Sequence, residues 1–225
     1  MEAARSLGLN AAESYITTFG AVSTFVTKRY DRERTDDRWH RLHQEDFCQA
    51  LAVTPAKKYQ RGEGGPGLAD LGKLTEAFPL LSDRRAVALD FYKAFVFNVV
   101  AGCTDARAKN YSLLLQGETV QLAPLYDLAT YAPYRADGDV VLLPMNVDGQ
   151  YQSDSISSAD LERAGARLRI SRDEAVDIVQ RTRTGMITAF EKSRDAITVS
   201  NPALTVTANA VLESVRKLPL CLTAS

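Results

Sequence analysis

Gly102-Cys-Thr-Asp-Ala-Arg-Ala-Lys-Asn110 is the stretch on which the fold turns. Directly before it, Asp83 to Ala101 carries Val87, Leu89, Phe91, Phe95, Val96, Val99 and Val100. That run is apolar nearly all round, which predicts a helix buried at the centre of a lobe. Directly after it, Tyr111 to Leu115 and Thr119 to Leu122 flank Gln116-Gly117-Glu118, a hairpin signal. Behind the hairpin stands Pro124-Leu-Tyr-Asp-Leu128. A rigid helix thus delivers a loop bearing an acid, Asp105, and an amide, Asn110, and a hairpin returns the chain with a second acid, Asp127.

Outward from this centre, the N-terminal side reads as β structure. Glu2 to Leu9 has the spacing of a short helix stopped at Gly8. Ser14 to Thr18 and Ser23 to Tyr30, separated by Phe19-Gly20, are β-branched runs that predict a hairpin. Asp31 to Arg41 is charged without apolar periodicity and is expected to be a loop. Phe47, Ala50 and Leu51 predict a short helix over His43 to Leu51. Tyr59 to Gly67 holds four glycines and a proline, a loop with unusual backbone demands, and a helix through Leu68, Leu71, Leu74 and Phe78 follows it.

On the C-terminal side the chain is expected to be irregular from Asp127 to about Ser157, then helical. One helix is capped near Ser158. Ser171-Arg-Asp-Glu174 is a capping box opening a long helix to about Ser193, and Asn201-Pro202 starts a last one. The fold class is therefore α+β: a short β portion, then a mostly helical lobe carrying one inserted hairpin.

Composition removes several function classes. The 225 residues are 45% hydrophobic, ample for a core. No apolar run reaches the ~18 residues of a membrane span. With 27 Lys+Arg against 28 Asp+Glu, the net charge of -1 argues against a chain devoted to neutralising nucleic-acid phosphates. The three cysteines are widely spaced and read as buried thiols of a reducing, cytoplasmic compartment. The only histidines, His40 and His43, lack zinc-ligand spacing. The aromatic run Phe91, Tyr92, Phe95 and Phe97 reads as core packing. The glycine-rich loop lacks Gly-Lys-Ser/Thr, so it is no Walker phosphate loop and is expected to shape the substrate side of a cleft.

The acid–amide–acid arrangement suits phosphoryl transfer from Mg·ATP, where catalysis is positioning and charge neutralisation. A carboxylate must take or orient the proton of the attacking hydroxyl. A carboxylate and an amide oxygen, both hard ligands, must hold Mg²⁺. Asp-x-x-x-x-Asn with a later Asp is the spacing of the protein-kinase catalytic loop and its metal-binding acid. Asp105 is then the expected base, Asn110 and Asp127 the metal ligands, and Arg107 a cation over the transferring phosphoryl group.

His43-Gln-Glu-Asp-Phe-Cys-Gln49, Lys58-Tyr59 followed by Gly64-Gly-Pro-Gly67, Thr104-Asp-Ala-Arg-Ala-Lys-Asn110 and Tyr126-Asp-Leu128 together resemble the HipA family of serine/threonine kinase toxins. The resemblance implies a protein-kinase-like C-terminal lobe over residues 32–225, preceded over 1–31 by a remnant of the N-lobe sheet and the hinge. It implies that Asp105 matches the catalytic aspartate and that Asn110 and Asp127 match the Mg²⁺ pair. It puts Arg107, Ala108, Lys109, Asn110 and Tyr126 along the ATP site, and Lys28, Arg29, Tyr30 and Asp31 at the adenine hinge. Two departures stand out: Lys28 replaces a frequent acid and Arg107 a frequent histidine. The resemblance further implies a HipB-type DNA-binding antitoxin as partner, DNA reached only through it, and a protein substrate such as an aminoacyl-tRNA synthetase.

The family's phosphate-covering loop and its nucleotide-binding lysine have no match before Lys28. The expectation is accordingly a kinase portion lacking its N-terminal lobe. The alternative is a non-catalytic relic that binds an antitoxin or partner. A small-molecule kinase of the aminoglycoside-phosphotransferase type is disfavoured by the His43–Gln49 and Gly64–Gly67 words.

Overall fold

A computed structural model describes residues 1–222; positions 223–225, the end of the expected helical lobe, lie outside the described residues. The chain opens with α1 (Glu2–Ser6), the hairpin β1 (Ser14–Phe19) and β2 (Val22–Thr27), and a second hairpin, β3 (Arg32–Thr35) and β4 (Arg38–Arg41). Strand β5 (His43–Asp46) runs straight into α2 (Phe47–Ala50), then come the kinked turn α3 (Gln60–Glu63), α4 (Leu68–Glu76) and α5 (Leu81–Val100). The remainder is β6 (Ser112–Gln116), β7 (Thr119–Leu122), β8 (Leu142–Val147), β9 (Gln150–Gln152), α6 (Ser158–Ala164), α7 (Arg172–Ser200) and α8 (Thr205–Val215).

Helix α5 is the axis of the lobe. Val87, Phe91, Tyr92, Ala94 and every residue from Phe95 to Val100 are buried, so no face of its last six residues meets water. Phe91 packs edge-on against Phe47 at 5.3 Å and Tyr111 at 4.8 Å between ring centroids. Burying such rings contributes about 1.5–3 kcal/mol each. The buried Tyr92 hydroxyl donates to the Leu161 carbonyl at 2.8 Å, which ties α6 to this axis. Cys48, Cys103 and Cys221 are all buried free thiols, and burial pushes Cys103 and Cys221 up to about 12.

Three segments depart from the sequence expectation. Residues 32–41 form a hairpin, not a loop: Asp36 and Asp37 both take positive φ (49° and 60°), the requirement of a tight two-residue turn. The strands are exposed on both faces, so no apolar alternation announces them. Residues 43–46 are a strand, not the start of a helix, because β5 pairs antiparallel with β6, with His43 opposite Leu115 and Asp46 opposite Ser112. The helix there is one turn, opened by a capping box in which Gln49 N–H donates to Asp46 Oδ1 and Asp46 N–H to Gln49 Oε1. Residues 142–152 contain the hairpin β8–β9 in the region expected to be irregular. Its turn is Asp148-Gly149, at φ 50° and 91°, and β8 alternates half-buried and buried along its length. The lobe therefore carries a three-stranded sheet, β5-β6-β7, and a separate hairpin, rather than a single insertion.

Smaller shifts concern helix ends. Ser157, not Ser158, caps α6, through Asp160. Helix α7 runs to Ser200, beyond the expected Ser193. A 3₁₀ turn, Pro202–Leu204, precedes the last helix.

Candidate active site

The loop of interest begins with a helix stop. Gly102 takes φ +67°, its N–H donates to the Val99 carbonyl, and the next N–H, of Cys103, reaches back to Asn98 at 2.8 Å. These two bonds make a Schellman motif, which satisfies the free carbonyls of α5 and turns the chain outward. A Cβ at Gly102 would lie 3.3 Å from both Leu218 methyls, so the turn is packed as well as left-handed. The Asp105 carbonyl then accepts from Arg107 N–H at 2.8 Å and from Asn110 Nδ2 at 2.6 Å, and Asn110 Nδ2 also meets Asp105 Oδ2 at 3.3 Å. Both partners of that nitrogen are acceptors, which fixes the amide and leaves Asn110 Oδ1 free to act as a ligand. Buried Ala108 anchors the middle of the loop, while Asp105 and Lys109 are exposed.

Tyr126 draws the remaining segments together. Its hydroxyl lies 2.7 Å from Ser112 Oγ and donates to the Lys109 carbonyl at 3.1 Å, and its ring stacks on Tyr30 with centroids 6.1 Å apart. The catalytic-loop candidate, the hinge candidate and the segment bearing Asp127 thus meet at one side chain. Burial, with Tyr126 nearby, holds the Tyr30 phenol well above its usual range, so it is neutral at any physiological pH. Asp127 itself is exposed and left-handed at φ 55°, a conformation that Asp tolerates better than most residues. Leu125 N–H donates to the Asn10 carbonyl and Ala12 N–H to the Leu125 carbonyl, both at 2.8 Å, which ties this segment to the chain before β1.

The hinge candidates divide. Asp31 is buried and clamped: Arg29 donates to both its carboxylate oxygens, at 2.8 and 2.6 Å, and Arg32 adds a third bond at 2.6 Å. Chiefly the Arg29 hydrogen bonds hold its carboxyl down at about 2. Asp31 therefore braces the segment between β2 and β3, and its carboxylate is not free to meet a ligand. Lys28 turns away: its ammonium pairs with Glu13 at 3.2 Å and its N–H donates to the Glu13 carbonyl. Among the described residues, the N–H groups of Arg29 and Tyr30 have no internal acceptor.

Arg107 is largely buried. One guanidinium nitrogen lies 3.3 Å from Asp105 Oδ1, and the group sits 4.8 Å from the centroid of the Tyr59 ring. Tyr59 and Gln44 fall within the words that carry the family resemblance, but the sequence assigns neither a role in the site. Gln44 carries a buried Oε1 without a partner on β5 beside the hinge, and its signal was hidden in the segment misread as helix. Among the described residues no three His, Cys, Asp or Glu side chains gather as a metal cage. Asn110 and Asp127 each offer a hard oxygen of the kind Mg²⁺ takes, an ion that keeps waters and accepts phosphates as further ligands.

The HipA-like C-terminal domain family model matches residues 1–190. A protein of Sinorhizobium fredii named as a kinase, Y4mE, is 34% identical over 87% of this chain and 46% of its own length. The serine/threonine-protein kinase toxin HipA of Shewanella oneidensis is 31% identical over 72% of this chain and 39% of its own. The chain thus spans less than half the length of these curated relatives. In structure it resembles the Shewanella oneidensis HipA solved with HipB and operator DNA, at a TM-score of 0.75 and 20% identity, over 100% of this chain and 57% of that one. The Helicobacter pylori kinase CtkA follows at 0.51 and 13% identity, over 84% of each chain. Both likenesses indicate a kinase-like fold. No helix among the described residues is long and apolar enough to cross a membrane.

Proposed function

Because the chain belongs to the HipA-like C-terminal domain family, we propose that it carries the catalytic loop and metal side of a serine/threonine protein kinase that moves the γ-phosphoryl group of ATP to a protein hydroxyl. One observation carries the reading: Asn110 is locked by its Nδ2 to Asp105 and keeps its Oδ1 free, while Tyr126 ties the same loop to the segment of Asp127. Asp105 takes the proton of the acceptor hydroxyl. That oxygen bonds to the γ-phosphorus as the bond to the β,γ-bridging oxygen breaks, and ADP departs. Asn110 Oδ1 and the Asp127 carboxylate hold Mg²⁺, which neutralises charge on the phosphates when bound. Arg107 offers a fixed positive charge beside Asp105. The free N–H groups of Arg29 and Tyr30 support backbone contacts to adenine, with Ala108, Lys109 and Tyr126 along the nucleotide. On this reading residues 1–31 are the last N-lobe strands and hinge, and 32–225 the C-terminal lobe.

The family resemblance supports a cytoplasmic setting, a HipB-like antitoxin through which DNA is reached, and a substrate of the aminoacyl-tRNA synthetase kind. Transfer of labelled γ-phosphate to a protein acceptor, compared between the natural chain and Asp105→Asn, tests the proposal. Transfer that survives unchanged in Asp105→Asn rules it out.

A further inference from the structure

We propose that Tyr59 is a positioning residue for the phosphoryl-transfer site, holding the Arg107 guanidinium against Asp105 through its ring face, and that the glycine-rich loop exists to hold Tyr59 there. Arg107 Nε is buried and has no hydrogen-bond partner. A guanidinium so enclosed needs compensation, and the ring 4.8 Å away supplies it, because a π face attracts a desolvated cation. With one edge on Asp105 at 3.3 Å and one face on Tyr59, the group has little rotational freedom left. An arginine in this place differs from the histidine frequent in the family: its longer, more flexible stem needs a wall to define where the charge sits.

Tyr59 is itself held from its backbone. Its N–H donates to Glu63 Oε2 at 3.1 Å and its carbonyl accepts from Gly65 N–H at 2.9 Å. A Cβ at Gly65 would fall 2.4 Å from the Lys57 carbonyl oxygen and 2.8 Å from the Tyr59 carbonyl, so only glycine lets the loop fold back onto the 57–59 segment. Gln60, next in line, accepts from the Asn146 N–H at 2.7 Å and fastens the turn to β8. A Cβ at Gly67 would strike the Gln60 amide. The loop thus grips Tyr59–Gln60 rather than a phosphate. Lys58 Nζ also lies 5.3 Å from the ring centroid, a second cation on the same ring.

The inference rests on the kinase reading, and two readouts keep the failures apart. In phosphoryl-transfer kinetics Tyr59→Leu is expected to lower kcat ~2- to 30-fold with KM for ATP unchanged. Tyr59→Phe, which keeps the ring face, retains most of the rate. In an Arg107→Ala background Tyr59→Leu should cost nothing further. An equal loss in that background, or equal losses in the Leu and Phe variants, overturns the proposal. Independently of turnover, the Arg107 Nε–H NMR resonance should lie upfield in the natural chain and in Tyr59→Phe, and move downfield in Tyr59→Leu; one position in all three overturns it. Full activity in Asp105→Asn would sink the kinase reading instead, while the NMR arm still decides the placement of Arg107.

Discussion

The segment from Gly102 to Leu128 and the two N-terminal hairpins are built on opposite principles. The first stands on a buried axis: Phe91, Phe47 and Tyr111 pack beneath it, and its polar groups bond to one another across Asp105, Asn110, Ser112 and Tyr126. In the hairpins Tyr15, Phe19, Val22, Phe25 and Trp39 are each more than half exposed. Little buried surface holds β3 to β4, and like charges face each other where Arg32 pairs with Arg41. The proposed chemistry is thus mounted on the most deeply buried part of the fold, while the hairpins, with few buried contacts, are expected at its low-stability end.

The sharpest way to break the comparison is at its centre. Asp105→Asn should cost ~10²- to 10⁴-fold in phosphoryl transfer, with only a small fall in thermal midpoint, because the side chain is exposed and loses one ion pair, to Arg107. Phe91→Ala, beneath the loop, should lower unfolding free energy by about 3–5 kcal/mol in a denaturant titration. Between the two hairpins lies Asp31. Its folded carboxyl titrates at about 2 against an ordinary 3.8, so its contribution of ~2 kcal/mol is complete above the ordinary value and is lost as pH falls toward 2. Asp31→Asn should flatten that limb of the stability–pH curve. At the small end, Trp39→Ser on the exposed hairpin should change stability by no more than ~0.5 kcal/mol. A loss comparable with that of Phe91→Ala would mean that the hairpin is part of the core.

What the sequence revealed follows the same division. The helix before Asp105, the hairpin after it, and Asp127 behind were legible because burial imprints a pattern: α5 ends in an unbroken buried run from Ala94 to Val100, and Gly117 marks the β6–β7 turn. The β3–β4 hairpin left no such imprint, since strands exposed on both faces need no alternation and its turn is Asp36-Asp37 rather than a glycine pair. Strand β5 is specified by a partner about seventy residues away in sequence (Asp46 with Ser112), which local spacing at Phe47, Ala50 and Leu51 cannot report. The Asp148-Gly149 turn was a readable hairpin signal that the surrounding prolines masked. In the site, residue types pointed to Asp105, Asn110 and Asp127, but a cation–π contact between Tyr59 and Arg107 has no signature along the chain. The clamped carboxylate of Asp31 and the diverted ammonium of Lys28 likewise emerge only from three-dimensional pairing.

The central claim is that an amide oxygen and a carboxylate from two separate turns grip one divalent cation against nucleotide phosphates. Thermal denaturation with ATP, with and without Mg²⁺, in the natural chain and in Asp127→Asn, tests it most directly. The midpoint is expected to rise only with nucleotide and Mg²⁺ together, and the rise to disappear in the variant. A Mg²⁺-dependent rise of equal size in Asp127→Asn, or none at saturating Mg·ATP in the natural chain, would contradict it.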